Sequence, residues 1–226
     1  MTDANASKRA AAFAAADLVP DGATIGFGTG STFAFVLERF AQRMQQGFRV
    51  RGVATSVQTA EHAKRLGIPV LALDEVDGLD LAIDGADEVD PKKCLIKGGG
   101  GAHLRERLVA VAARELIVIV DDSKLVPELG RKFLLPVEVV PFGWTHTARR
   151  VAATGCVPTQ RVRDGRAVVT DNGNYVLDCK YPGIPDPAGL QRVLDGVPGV
   201  VDHGLFVGMA GRVVVADAGG GVRVIG

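Results

Sequence analysis

Residues 23–44, ATIGFGTGSTFAFVLERFAQRM, decide the fold. The first five residues form a short apolar run and read as a strand. Gly28-Thr29-Gly30-Ser31-Thr32 is too rich in glycine and hydroxyls to continue it, so it reads as a turn. From residue 33 onward Phe33, Val36, Leu37, Phe40 and Met44 recur at helical spacing. Strand, glycine-rich turn and helix in that order open an α/β unit.

The same alternation extends in both directions. Residues 7–19 predict an Ala-rich helix stopped by Pro20-Asp21-Gly22. Residues 49–53 predict a strand. Ser56 suits the N-cap of a helix reaching residue 66, with Gly67 just past its end. Strands follow at 70–73, 79–83 and 94–97, then a helix at 102–114 and an apolar strand at 116–120. Short apolar strands alternating with helices imply a mainly parallel sheet covered on both faces.

After Lys124 the pattern changes. Strands at 133–140, 157–162, 167–171, 175–179 and 200–205 surround helices at 145–154 and 187–194, with a hairpin turn at Asn172-Gly173. With the hairpin strand at 167–171 set aside as an addition, that order suggests βαββαβ, the ferredoxin-like arrangement. Final strands at 212–216 and 222–225 are expected to return to the first sheet. The sequence thus predicts a Rossmann-like, mainly parallel sheet domain over residues 1–130 plus 206–226. A smaller ferredoxin-like α+β domain is expected over 131–205.

Composition removes several functional classes. Among 226 residues, 26 acids balance 26 bases, so there is no overall basic field to attract nucleic acid. Cys94, Cys156 and Cys179 are widely spaced and form no CxxC pair, which gives neither a disulfide framework nor a zinc site. Reduced, partly buried thiols in a cytoplasmic protein are expected. The N-terminus lacks the continuous apolar core of a signal peptide, and no apolar run is long enough to cross a bilayer, so no membrane association is expected.

Four predicted loops, Gly28–Thr32, Thr55-Ser56, Asp84–Asp90 and Lys97–Gly101, follow strands, where an open parallel sheet places its ligands. In Gly28–Thr32, the glycines would let backbone N–H groups approach a phosphate, and Thr29, Ser31 and Thr32 add hydroxyls. The stretch is neither a dinucleotide fingerprint nor a Walker A loop. It serves equally well as a tight turn with a Ser/Thr cap. Asp84-Gly85-Ala86-Asp87-Glu88-Val89-Asp90 offers four carboxylates. Asp84 and Asp87, nearest the strand, suit sugar hydroxyls or a hard cation, whereas Glu88 and Asp90 read as solvated turn residues.

The third segment, Lys97-Gly98-Gly99-Gly100-Gly101-Ala102-His103-Leu104-Arg105-Glu106, is the most informative. Four successive glycines carry a large backbone-entropy cost that a plain connection does not require. They would bring Lys97 and nearby N–H groups against a ligand, ahead of a helix carrying Glu106 in its early turns. His103 reads as an exposed helix residue. Lys124, in Asp121-Asp122-Ser123-Lys124, reads as a phosphate contact or a plain surface lysine.

Together these segments resemble ribose-5-phosphate isomerase, type A, over nearly the whole chain. The resemblance rests on GTGST (28–32), ATS (54–56), DGADEVD (84–90), KGGGGAHLRE (97–106), DDSK (121–124), LPVEVVPF (135–142), VTDNGNYVLD (169–178) and PGVVDHGLF (198–206), in that order and spacing. It implies a cofactor-free enzyme interconverting ribose 5-phosphate and ribulose 5-phosphate in the pentose phosphate pathway, without a metal, as a homodimer or homotetramer. By resemblance Glu106 is the proton acceptor. Thr29, Gly30, Ser31 and Thr32 bind substrate, as do Asp84, Gly85, Ala86 and Asp87, and Lys97, Gly98, Gly99 and Gly100. Lys124 contacts substrate and Lys8 reaches the phosphate.

The catalytic set is then Glu106, Asp84, Asp87 and Lys97, with Lys97 facing the charge that develops on an enediolate oxygen. Two other readings compete. One is a metal-assisted isomerase using Asp84, Asp87 and Glu88. The other is a non-catalytic sugar-phosphate sensor, which would be expected to carry a separate DNA-binding segment; none is visible in the sequence.

Overall fold

In a computed structural model residues 3–226 are described. The chain runs α1 (Asp3–Asp17), β1 (Ala23–Phe27), α2 (Ser31–Met44), β2 (Val50–Ala54), α3 (Val57–Arg65), β3 (Val70–Leu71), β4 (Leu81–Gly85), β5 (Glu88–Val89) and β6 (Leu95–Ile96). It continues through α4 (His103–Ala112), β7 (Leu116–Asp121), β8 (Leu135–Val139), α5 (Trp144–Ala152), β9 (Val157–Gln160), β10 (Val162–Arg163) and β11 (Arg166–Ala167). Last come β12 (Tyr175–Lys180), α6 (Pro187–Asp195), β13 (Val200–His203), β14 (Leu205–Phe206), β15 (Ala210–Ala216) and β16 (Val222–Ile225).

Two compact units emerge. The first holds the chain up to Ala86, Arg105–Lys124 and Met209–Gly226; the second holds Asp87–Leu104 and Leu125–Gly208. Residues 87–104, together with 125–130 and 206–208, kept with the first domain in the sequence reading, group with the second unit. The reason is β6, which pairs antiparallel with both β5 and β14. Strands of two residues are too short to show a hydrophobic period.

The first unit is a seven-stranded sheet in the order β16-β15-β7-β4-β1-β2-β3. All its pairings are parallel except that of the edge strand β16 with β15. β1 and β7 are buried along most of their length, as strands covered on both faces must be. Ala11, Ala12, Ala15 and Ala16 form a fully buried small-residue face on α1, within a core that includes Phe27, Phe33, Phe40 and Ile83. Arg43 of α2 donates to the carbonyls of Ala16 and Val19 and so satisfies the C-terminal end of α1. On α3, Ser56 accepts the Thr59 N–H at 3.1 Å, and Gly67 follows with φ of 75°, as the capping pattern predicts.

The second unit carries a four-stranded antiparallel sheet, β13-β8-β12-β9, with α5 and α6 as its crossovers. That is the ferredoxin-like order. Its core includes Leu135, Val137, Val139, Leu177 and Leu194. The predicted strand at 167–171 shrinks to Arg166–Ala167 because the chain beyond it turns around a buried carboxylate. Glu138, fully buried, accepts through Oε1 from Thr170 Oγ1 at 2.8 Å, Asn174 Nδ2 at 2.9 Å and Asn172 Nδ2 at 3.2 Å. All three cysteines are buried. Burial, then the Asp90 carboxylate, pushes the Cys94 thiol up from its ordinary value.

Candidate active site

In the first unit the sheet reverses its winding between β1 and β4. From β1 the chain proceeds outward to β2 and β3, and then returns to place β4 on the other side of β1. Such a switch point opens a crevice at the carboxyl ends of the two strands. The loop after β1 is Gly28–Gly30, and β4 ends at Asp84-Gly85. Asp84 is only 3% exposed, and its Oδ1 accepts the Thr29 N–H at 3.1 Å and the Gly85 N–H at 2.7 Å. A Cβ at Gly28 would overlap this carboxylate, so the loop approaches it as closely as a backbone can.

The ATS motif braces that loop from β2. Thr55 Oγ1 donates to the Phe27 carbonyl at 3.1 Å. It has one proton to give, so in its 2.7 Å bond with Thr29 Oγ1 it is the acceptor and Thr29 the donor. Thr59 Oγ1 donates to the Gly28 carbonyl at 3.0 Å. Gly30, with φ of 107°, stands at the N-cap of α2 and offers no side chain to the first N–H groups of that 14-residue helix. Lys8 Nζ donates to Ser31 Oγ at 3.4 Å, bringing the N-terminal helix's ammonium to the same helix start. Lys124 closes the short 3₁₀ turn after β7, which neighbours β4.

Glu106 reaches the same edge by a simple count. Ala112, ending α4, accepts the N–H of Leu79, which precedes β4. Val109 packs against Gly26, where a Cβ would collide with its side chain. Thus α4 runs antiparallel to the strands, and its start lies toward their carboxyl ends. Glu106 is one turn before Val109 on the same helix face, about 5 Å further toward that edge. It is 5% exposed. A carboxylate in the first turn of a helix also suits the helix dipole.

The second unit carries the glycine turn. Asp87 N donates to the Ile96 carbonyl at 2.7 Å, and Lys97 N to the Gly204 carbonyl at 2.9 Å. Gly101 N closes the turn on the Gly98 carbonyl at 2.9 Å. Gly98 and Gly101 have φ of 98° and 78°, conformations that favour glycine. The Gly99 N–H donates to Asp87 Oδ2 at 2.8 Å. Lys97 is 3% exposed, with its ammonium 5.5 Å from the centre of the Phe206 ring.

Sequence-based expectation fails at two residues. His103 is fully buried, not exposed: it packs against Gly98, where a Cβ would come within 2.7 Å of Nδ1, and Nε2 lies 3.9 Å from Glu138 Oε2. Glu88 is not a solvated turn residue. It is fully buried, and its two oxygens accept the N–H groups of Gly130, Lys132 and Phe133 at 2.6–2.7 Å. Those bonds give it a structural task and take it out of the metal-ligand set with Asp84 and Asp87. Asp90 does shape a local turn, accepting from Lys92 N and Cys94 N. Sequence reasoning also passed over Arg161, Asp178 and Glu138, isolated polar residues within predicted strands.

A doubly wound sheet with buried carboxylates at its switch point, beside a helix start with no side-chain cap and approached by a lysine of another helix, is the architecture of an α/β enzyme for a small anionic substrate. The family model for ribose 5-phosphate isomerase A (phosphoriboisomerase A) matches residues 51–220. Ribose-5-phosphate isomerase A of Synechococcus sp. is 51% identical, over 97% of this chain and 97% of its own. A ribose 5-phosphate isomerase structure from Plasmodium falciparum has a TM-score of 0.93 at 37% identity, covering 99% of this chain and 98% of the other. A D-ribose-5-phosphate isomerase solved in complex with phospho-erythronic acid also gives 0.93 at 37%, with 96% of each chain covered. The chain belongs to the ribose 5-phosphate isomerase A family.

Proposed function

We propose that the chain interconverts D-ribose 5-phosphate and D-ribulose 5-phosphate through a cis-enediolate, without cofactor or metal, with Glu106 as the base. Glu106 takes the proton from C2 of the open-chain aldose and returns it to C1. The C2 hydroxyl proton leaves and O1 gains one, so the net change is the aldose–ketose shift. Asp84 carries that hydroxyl proton. Asp87 orients the sugar hydroxyls and assists ring opening. Lys97 offsets the negative charge growing on the enediolate oxygen, an electrostatic contribution made in the transition state. Lys8, Ser31, Thr32, Lys124 and the first N–H groups of α2 hold the phosphate and supply orientation.

One observation carries this reading: Glu106 lies on the sheet-facing side of α4, one turn from Val109 toward the edge where Asp84 is clasped. A base screened from bulk water keeps the reactive intermediate from side reactions. The family supplies the substrate class, and a relative of this fold binds phospho-erythronic acid, a phosphorylated sugar acid. The proposal extends to a cytoplasmic homodimer or homotetramer, which the mass in solution at assay concentration tests. The chemistry is tested by following ribulose 5-phosphate formation from ribose 5-phosphate with and without chelator. Activity that disappears with chelator and returns with a divalent ion would remove the metal-free mechanism. No turnover under either condition would remove the isomerase reading.

A further inference from the structure

We infer that Arg161, held by Asp178, is a positioning residue that locks one glycine peptide and thereby fixes the aim of the Asp87 carboxylate. The inference rests on the isomerase reading for its kinetic consequence, though not for the lock itself. All four participants belong to the second unit.

Arg161 follows β9, and its backbone is set in the sheet: its N–H donates to the Val176 carbonyl at 2.8 Å, and its carbonyl accepts from Val168 N at 2.9 Å. Nε and Nη2 grip the two oxygens of Asp178, Nε at 2.9 Å. The side chains are 13% and 21% exposed. A bidentate pair of this kind leaves the guanidinium no freedom to swing. The remaining Nη1 donates to the carbonyls of Gly98 and Gly99, each at 3.1 Å.

The peptide between Gly98 and Gly99 is planar, and in a trans peptide the C=O and the N–H point in opposite directions. The Gly98 carbonyl is tied to Arg161 and to Gly101 N; the N–H on the other side of the same plane donates to Asp87 Oδ2 at 2.8 Å. A run of four glycines resists rotation of that plane very little. If it turned over, a carbonyl oxygen would face the carboxylate in place of the N–H, and Asp87 would be pushed away. Arg161 opposes that rotation from the far side. A lysine cannot reproduce the fork that holds Asp178 and reaches two carbonyls together.

Two measurements test this separately. Amide exchange reads the lock directly: the Gly99 N–H of wild type should exchange slowly, and in Arg161→Ala faster by at least about tenfold, while the β8 amides are unchanged. Equal Gly99 exchange in both proteins would overturn the lock whether or not the chain is an isomerase. Kinetics reads its use. Arg161→Ala should lower kcat for ribose 5-phosphate by about 10- to 100-fold, the scale of an ångström-level misplacement, with a smaller change in KM and partial recovery in Arg161→Lys. In an Asp87→Asn background the same substitution should cost no more than about twofold further, because coupled residues do not add. Full multiplication of the two losses would overturn the role, as would wild-type kcat in Arg161→Ala. If Arg161→Ala does not fold, Arg161→Lys and Asp178→Asn replace it in both measurements. Absence of activity in wild type would count against the isomerase reading alone.

Discussion

Asp84 and Asp87 stand three residues apart, yet they are held by opposite means. Asp84 lies at the end of a strand inside a parallel sheet, nearly buried, with one oxygen accepting the N–H of Thr29 from the loop after β1 and that of its neighbour Gly85. Asp87 is half-buried beside a turn of glycines, and Gly99 N donates to one of its oxygens. The first carboxylate is fixed by the fold of the sheet. The second is fixed by a turn that itself depends on Arg161. Two acids with similar sequence surroundings therefore differ in how easily substitution displaces them.

The largest expected effect belongs to the sheet-edge region. Glu106→Gln keeps the shape and removes the base, so kcat should fall at least ~10²-fold; near-normal turnover would exclude Glu106 from the chemistry. Gly28→Ala comes next. Its methyl would overlap the Asp84 carboxylate and has the Ile83 carbonyl behind it, so neither side can give way. We expect a kcat loss approaching that of Glu106→Gln and a stability cost of about 1–3 kcal/mol from overpacking, read by thermal melting. Gly99→Ala sharpens the comparison. Its methyl would meet Asp87 Oδ1 at 2.8 Å and Phe133 Cζ at 3.0 Å, both ends of side chains that can rotate. Its effect on kcat should be smaller than that of Gly28→Ala; the reverse order would break the contrast drawn above.

Lys124→Ala should chiefly raise KM, by about tenfold for one lost charge-assisted phosphate contact. A fall in kcat with unchanged KM would contradict the phosphate role. The smallest effect lies at Asp21. Its side-chain bonds to Arg49 hold the carboxyl below the ordinary 3.8. A carboxyl depressed in the folded state stabilises above its unfolded value and loses that contribution as pH falls through the folded one. Asp21→Asn should therefore flatten the stability curve slightly below about pH 4 and leave activity at neutral pH unchanged.

How much of this was legible beforehand follows from what each feature depends on. The strand at 23–27, the helix beginning near Ser31 and the cap at Ser56 are local, and period and capping chemistry revealed them. The ferredoxin-like order was equally visible as alternation. Glu88 and His103 were misread because their burial is tertiary. Glu88 is enclosed by N–H groups more than 40 residues away, and His103 by the turn at Gly98 and the carboxylate of Glu138. Nothing in a single polar residue announces that a distant backbone will wrap it. The same holds for Arg161, whose partners at Gly98 and Gly99 are over 60 residues earlier.

The place of β15 has a consequence for synthesis. This strand is second from the edge of the first sheet: it lies between β7 and β16 and pairs parallel with β7 from Ala210 to Ala216. Ser7 Oγ, near the start of the chain, donates to the Asp217 carbonyl at 2.9 Å. A nascent chain still attached to the ribosome at residue 208 would expose β7 as an open strand edge, a template for wrong pairing. Closure of the first sheet thus waits for the segment Met209–Gly226. A premature stop there would yield an aggregating product, not a weakened enzyme.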